Sequence, residues 1–494
     1  MRLAVRLDRR SLRRWHLELV SALAGREDLQ VGVRWYDGPS RPVAPEVERL
    51  FALEQVLHRL PRGRSATVSA HLFGPYRDGW PHPEVVLDLV GVADADVRTW
   101  HLTFDGGTGE EALLAALLAG RAPVVRVVDA AAGRVLAAGR PGSENPAVTV
   151  AAFEDVLAGC TQLLHAALDG DGAAHIEDGE HLQVRHVPLV RRAGRLVARA
   201  AVHRAYRLLY RAPHWRVGWR RVDDGPDVID LGGHPPSGWR ELPDDGWHFY
   251  ADPFPIRVGD ATYLFVEDFD HRLGRGVISV VEFGRDGPRG TPWPVLEHDA
   301  HLSYPFVLQD GGQVWMIPET SGAGTVELYR ATRFPAGWTL EEVLLEGMEV
   351  SDATPFRHGG RWWLSATVRN GGSYSDALHL WSAERLQGPW SPHSRNPVLV
   401  DIAAARPAGR VVSRHGRLIR PVQDGRRGYG AALALAEVTR LDDDAFEQRV
   451  IATIGPGPRW PGHRLHTLNR AGWLEVIDGS AFSPRYRHLP RPVR

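Results

Sequence analysis

No lysine occurs among the 494 residues, so all 59 basic side chains other than histidine are arginine. A Schiff-base lysine and a Walker-type phosphate loop are thereby excluded, because both chemistries need an amine. Cysteine is almost as scarce. Cys160 stands alone, which excludes an intrachain disulfide and a Cys-rich zinc centre, and its neighbours Val156, Leu157, Leu163 and Leu164 mark it as core. A dominant charge is missing too: 59 basic against 60 acidic residues leave a net charge of -1, and with it no global field for nucleic acid. Long apolar runs are absent, and MRLAVRLDRRSLRRW at the N-terminus is too interrupted by Arg for a signal peptide. The expectation is a cytoplasmic protein without a transmembrane segment. No His-x-x-x-His or paired-carboxylate spacing argues for zinc, so no metal site is read and the cofactor stays open.

What is present has two textures. Residues 1–170 alternate short apolar runs (Leu3–Leu7, Val31–Tyr36, Val85–Val90, Trp100–Phe104, Val124–Val128) with helical periodicity at Leu12–Leu23, Val47–His58, Glu110–Leu118 and Ala151–Leu168. That alternation predicts an α/β, Rossmann-like N-terminal domain with a largely parallel sheet. Residues 171–212 read as a basic linker and helix. From Arg185 to Val222 there are eleven Arg and no acid, a pattern suited to docking between domains or to peripheral contact with an anionic membrane through 185–221.

From 213 to 494 the texture is all-β, and a repeat at spacings of about 50 residues predicts a five-bladed β-propeller. YADPFPIRVGDATYLFVED (Tyr250–Asp268) aligns with LSYPFVLQDGGQVWMIPET (Leu302–Thr320), SDATPFRHGGRWWLSATV (Ser351–Val368), RPAGRVVSRHGRLIRPVQD (Arg406–Asp424) and the shorter HTLNRAGWLEVID (His466–Asp478). Each copy reads as an inner strand, a Gly-containing hairpin and a second strand. Residues that open the first strand and close the second then share one end of the axis. Asp252, Tyr304, Asp352 and Arg406 fall nearest the axis, Glu267, Asp268, Glu319, Gln423 and Asp424 one strand out, and His466, Asn469 and Asp478 come from the fifth copy. Arg406 and Arg410, with Arg420 and Arg470 nearby, bring positive charge toward the same pocket. They suit either an internal salt bridge or an anionic ligand. Trp247, Tyr250, Tyr304 and Trp473 are candidates to stack on a sugar face.

The ADP context of Asp252 and the position of Asp352 resemble the five-bladed arabinanase and β-xylosidase glycoside hydrolases. The resemblance implies Asp252 as general base and Asp352 as the second Asp that sets its pKa. Those enzymes open the fourth blade with an acidic Glu; here the place reads ARPAGR (Ala405–Arg410), and a guanidinium is no acid at neutral pH. Glu319 is the candidate acid instead, with Glu267 reaching the same face. Related propellers also hold an axial cation through a His, for which His466 is the candidate.

A resemblance covering more of the chain is to the propeller region of plant glucosamine inositolphosphorylceramide transferases and their bacterial relatives. HFYADPF, HLSYPFV, MIPETS, SDATPF, GRWWL, ARPAGR, RPVQD and NRAGWLEVIDG carry it across Trp247–Gly479. It implies a bacterial relative in which a degenerate formyltransferase-like domain precedes the propeller. Formyltransferases use an Asn, a His and an Asp; His101 and Asp129 with Gly133 match in part, and the Asn has no counterpart.

Three readings follow. The first is a carbohydrate-active enzyme, hydrolase-like or transferase-like, acting on a glycoside or anionic sugar-like conjugate. Asp252, Asp352 and Glu319 would be its catalytic residues, and Glu267, Tyr304, Arg406, Arg410, Gln423, Asp424, His466 and Asn469 would bind a sugar-like, phosphorylated or carboxylated small molecule. The second is a non-catalytic carbohydrate-binding or scaffold propeller in a biosynthetic pathway. The third is a formyl- or acyl-transferase whose propeller selects the acceptor.

Overall fold

The computed structural model describes residues 1–39, 44–78, 80–91, 97–170, 176 and 189–486. It divides into a unit of Met1–Ala201 with Asn370–Ser373, and a unit of Val202–Arg369 with Tyr374–Arg494.

The first unit contains one sheet. Its strands are β1 (Arg2–Leu7), β2 (Gln30–Trp35), β3 (Arg77–Asp78), β4 (Val85–Asp88), β5 (Thr99–Phe104), β6 (Gly107–Thr108), β7 (Val125–Asp129) and β8 (Arg134–Gly139), in the order β3-β2-β1-β4-β5-β7-β8 with β6 on β5. The helices are α1 (Arg14–Ala24), α2 (Pro45–His58), α3 (Gly109–Leu118) and α4 (Thr149–Asp169). Apolar residues of α4 at helical spacing, Val156, Leu157, Cys160, Leu163 and Leu164, are buried, and burial pushes the Cys160 thiol pKa up.

From β3 to β5 the strands are parallel, as the alternating pattern predicts. The rest of the sheet differs: β7 runs antiparallel to β5, and β8 antiparallel to β7. The reason lies at Asp105. Its N–H donates to Val124 O (2.9 Å), and its Oδ1 accepts from Val124 N–H (2.9 Å), so the entrance to β7 is pinned to the exit of β5. Helix α3 therefore returns the chain to the end it left, and a parallel crossover cannot form. The sheet is mixed, not largely parallel.

Among the described residues the second unit has five sheets arranged as blades, besides a two-stranded sheet of Tyr210–Arg211 with Ser483–Pro484. Blades I to IV start with inner strands at His248–Val258, Ser303–Asp310, Val350–His358 and Val412–Arg414, each paired with the next strand (Ala261–Asp270, Gln313–Thr320, Arg361–Val368, Arg417–Asp424). Two-residue turns join these hairpins. At Gly311–Gly312 and Gly359–Gly360 both residues have φ between 60° and 82°, which glycine adopts without a Cβ clash. Blade V is assembled from both ends of the unit: Trp215–Arg221 pairs antiparallel with Leu474–Ser480, whose other neighbour is the inner strand Leu468–Ala471. This closure is invisible in the repeat, because Trp215–Arg221 is not a copy of the motif. Phe254, Phe265, Phe306 and Trp315 belong to one buried cluster that seals blade I against blade II.

The linker residues 171–175 and 177–188 lie outside the described residues. Helix α5 (Leu189–Leu209) follows.

Candidate functional site

Blades I, II and III open on the same local device. In each, two residues of the inner strand face one of its partner, at Asp252–Pro253, Tyr304–Pro305 and Asp352–Ala353. The first residue of each pair has a left-handed backbone, with φ of 47°, 43° and 55°. Such a β-bulge usually carries Gly at this place, and it redirects the side chain that occupies it. Asp tolerates the conformation, whereas Tyr304 is held there against its steric preference.

A bulge also frees a backbone N–H, and carboxylates satisfy each of the three. Asp252 N–H donates to Asp478 Oδ2 (2.9 Å), Tyr304 N–H to Asp252 Oδ2 (3.2 Å), and Asp352 N–H to Glu319 Oε2 (3.0 Å). The acids that the repeat places on the axis thus lock one blade to the next, as well as lining a site. Asp252 Oδ1 accepts the Thr467 hydroxyl (2.9 Å) and lies 3.6 Å from His466 Nε2, whose Nδ1 is 2.7 Å from Asp478 Oδ1. Trp215 stacks on the His466 ring at 4.1 Å, and Tyr429 meets both rings edge-on.

On the other side of the cluster Arg406 Nε donates to Asp352 Oδ2 (2.6 Å), one Nη to Ser375 Oγ (3.2 Å), and the other lies 3.3 Å from Asp352 Oδ1 and 3.8 Å from Glu319 Oε2. Gln423 Nε2 donates to Asp352 Oδ2 (2.9 Å). Of the two roles open to Arg406, the geometry realises the internal ion pair. Its fork is committed to Asp352.

Burial governs the protonation of these acids. It raises Asp252 to about 6, with His466 opposing and Asp478 and Asp352 reinforcing the shift. Glu319 is pushed to about 8 by burial and by Asp352, against Arg406. Glu267 is driven well above the carboxylate range by burial and by Asp252 and Glu319. Burial alone lowers the His466 imidazole, but Asp478 and Asp252 outweigh it and its pKa ends raised. Near neutral pH the cluster therefore holds an ionised Asp252 beside a protonated Glu319.

A stability consequence follows for Glu319. Its folded pKa exceeds the ordinary carboxylate value, so its stabilising contribution is complete below about 4.5 and is lost as pH rises through about 8. Glu319→Gln stays neutral and keeps an oxygen for the Asp352 N–H. Thermal melts should show the variant gaining on the wild type between pH 5 and pH 8.5 by on the order of 2 kcal/mol. A pH-independent difference would contradict this.

Other expected site residues lie elsewhere. Arg410 is half-buried, its guanidinium donating to Val307 O and lying near Pro255 O, against the Phe254 and Phe306 rings. It plugs the axis and is not in the acid cluster. Asn469 binds Arg410 N–H and Pro253 O, a stitch between strands. Asp424 is paired with Arg426 (2.6 Å), and Asp268 with His248 and Ser279. Tyr304 turns its hydroxyl to Thr354 Oγ1 (2.9 Å) and Gly409 N–H (2.8 Å). Arg420 reaches Ala405 O and Gln448, and Arg470 pairs with Asp227, so neither charges the pocket. Trp247 is exposed against Arg211, and Trp473 packs on the core that holds Tyr250. The aromatics at the cluster are Trp215 and Tyr429, with Thr467 and Ser375 as further polar neighbours. Of these four the repeat pointed to none. A trace existed for Thr467, which follows His466 in the fifth copy.

Asp252, His466 and Asp478 offer donor atoms within 4.8 Å of one another, one imidazole and two carboxylates. His466 Nδ1 and the two carboxylates are hydrogen-bonded within the trio, to Thr467 and to backbone N–H groups, whereas His466 Nε2 stands 3.6 Å from Asp252 Oδ1. These residues are where the axial cation suggested for His466 would be held.

In the first unit, Trp100 pairs with Asp129 across β5 and β7, and His101 with Val128. His101 and Asp129 thus point to opposite faces of the sheet. Asp129 is also tied to Arg98 (2.8 Å), so these two side chains share no site.

Residues 243–480 match the family model described as glucosamine inositolphosphorylceramide transferase 1, N-terminal. The C-terminal half of the chain is similar to that family. Glucosamine inositolphosphorylceramide transferase 1 of Oryza sativa subsp. japonica is 33% identical over 251 residues, covering 47% of this chain and 33% of the relative. The Arabidopsis thaliana protein of the same name is 30% identical over 247 residues, covering 47% and 32%. The chain thus matches about a third of the length of these relatives. Among solved structures, a family 117 glycoside hydrolase from Zobellia galactanivorans aligns with 55% of this chain and 91% of its own, at 13% identity and a TM-score of 0.35. An exo-β-1,3-galactanase from Phanerochaete chrysosporium with β-1,3-galactotriose aligns with 42% and 53%, at 15% identity and a TM-score of 0.34.

Proposed function

We propose that the propeller is a carbohydrate-active enzyme that performs acid–base chemistry on the glycosidic bond of a sugar-like conjugate. The observation that carries the reading is the convergence of Asp252, Glu267, Glu319 and Asp352, from three blades, in one buried cluster where burial and neighbouring carboxylates raise the pKa of Asp252, Glu267 and Glu319. Cleavage of a glycosidic bond needs one carboxyl protonated and one ionised. Glu319 donates its proton to the leaving oxygen, and the Asp252 carboxylate takes one from the attacking hydroxyl. That hydroxyl belongs to water in hydrolysis and to an acceptor in transfer. The relatives' name favours transfer onto or from a glucosamine-bearing conjugate. Arg406, Gln423 and Ser375 are positioning residues that orient Asp352, and Trp215 and Tyr429 form the aromatic wall. With Arg406 committed to Asp352, the pocket's surplus charge is negative. The sugar bound there is neutral or amine-bearing, and any phosphate of the conjugate stays outside it.

The rate should be bell-shaped in pH, rising through about 6 as Asp252 ionises and falling through about 8 as Glu319 loses its proton. Glu319→Gln should abolish the alkaline limb and slow turnover about 10²-fold or more. The loss should be large on alkyl glycosides and small on dinitrophenyl glycosides, whose leaving group needs no acid. Equal losses on both would remove Glu319 from the acid role. A wild-type protein that binds sugars but turns over none would leave the non-catalytic propeller as the correct reading.

A further inference from the structure

Helix α5, Leu189–Leu209, carries six Arg and no acid over 21 residues, about 30 Å of helix. Its residues are not arranged like those of a helix buried between two partners. Val190, Val197, Val202, Leu208 and Leu209 are all exposed, Val190 at 84% and Leu208 at 67%. Val190, Val197, Ala201 and Leu208 recur at seven, four and seven residues, which aligns them in one stripe along the helix. Gly194 and Ala205 continue that stripe without bulk. Arg204 stands about 40° from the centre of the stripe, and on the other side Arg191, Arg195 and Arg199 lie about 100°, 140° and 180° from it, so Arg191 and Arg204 flank the stripe and Arg199 faces away. All four are exposed, and none forms an ion pair with a described carboxylate.

The helix is fixed by its remaining face. Leu196 is buried, and Arg192 donates to Leu118 O and to Thr149 Oγ1 (3.0 Å) within the first unit. Within the second unit Tyr206 stacks on Tyr210 at 4.9 Å and meets Phe482 edge-on. Val190, Val197 and Leu208 stay exposed on the opposite face.

We infer that α5 is a membrane-surface element, lying in the interface of a bilayer rich in anionic lipid. An exposed apolar stripe gains by entering the acyl boundary, and flanking guanidiniums pair with headgroup phosphates; neither half alone gives firm binding. Exposed arginines with no acid among them complement an anionic surface. No described helix is long and apolar enough to cross a membrane, so α5 lies on the bilayer and does not span it.

Flotation of the full-length protein with vesicles of phosphatidylglycerol and phosphatidylcholine (1:3) tests the inference, with pure phosphatidylcholine as comparison. Binding is expected to the anionic vesicles, weakened at 0.5 M salt and unaffected by millimolar inorganic phosphate. Arg191→Glu and Arg204→Glu should each weaken it about fivefold or more. Val197→Asp combined with Leu208→Asp should abolish it while leaving the melting temperature within about 2 °C, because these positions are exposed. No binding to anionic vesicles overturns the inference. So does full binding by the Val197→Asp/Leu208→Asp variant, competition by free phosphate, or a wild-type dimer that this variant dissolves while vesicles are ignored.

Discussion

Asp252→Asn should lower turnover at least about 10³-fold on any glycoside or sugar conjugate that the wild type processes, with binding of that compound retained. Asn is the informative replacement because of the structural duty the side chain also carries. Its carbonyl oxygen can still accept the Tyr304 N–H that Asp252 Oδ2 accepts at 3.2 Å, so the bulge of blade II stays capped. Asp252→Ala would remove that cap, and leaving a buried N–H unpaired costs about 1–3 kcal/mol, confounding catalysis with folding. Single-turnover rates beside isothermal binding of the same ligand separate the two effects. Turnover preserved in Asp252→Asn would dismiss it as the base, whatever its position on the axis.

Arg406→Met should destabilise the protein by about 3–5 kcal/mol, the cost of breaking a buried ion pair from one side. In a domain of this size that is a fall of about 10 °C in melting temperature. Arg406 is 6% exposed and holds Asp352 by two contacts, with Glu319 beyond. Removing its charge leaves buried carboxyls without a cation. Adding Asp352→Asn should recover much of the loss, since the neutral amide needs no counterion. A simple anion-binding Arg would behave differently: its removal would stabilise the protein or leave it unchanged, and would cost only ligand affinity. Differential scanning calorimetry of the single and double variants distinguishes these outcomes.

The two variants probe a shared design. Along the axis, Asp252, Glu319 and Asp478 each accept a backbone N–H of the next blade, and Asp252 and Glu319 are buried titratable groups as well. The bulges that aim Asp252 and Asp352 inward create the orphan N–H groups that neighbouring carboxylates must satisfy. Mutating such residues to Ala would therefore report on ring closure and chemistry together.

Much of the propeller was legible in the chain because a repeat constrains phase. Once Asp252, Tyr304 and Asp352 align, their common position at the head of an inner strand follows, and with it the meeting of Glu267 and Glu319 on the same end of the axis. The α/β character of the first unit was equally legible, since alternation of strand and helix periods is local. What a local pattern cannot carry is partner choice. Only tertiary structure decided that Trp215–Arg221 closes blade V, because strand pairing depends on which edge is left open and not on the strand's own residues. It also decided that Asp105 pins β7 antiparallel to β5, splitting His101 from Asp129 across the sheet. Long side chains were read least well. Arg406, Arg410, Arg420 and Arg470 look alike in sequence, yet one pairs with Asp352, one plugs the ring and two face away from the acids. A guanidinium reaches several ångströms from its backbone, so its destination is set by the nearest unsatisfied carboxylate or carbonyl, which only the assembled blades define.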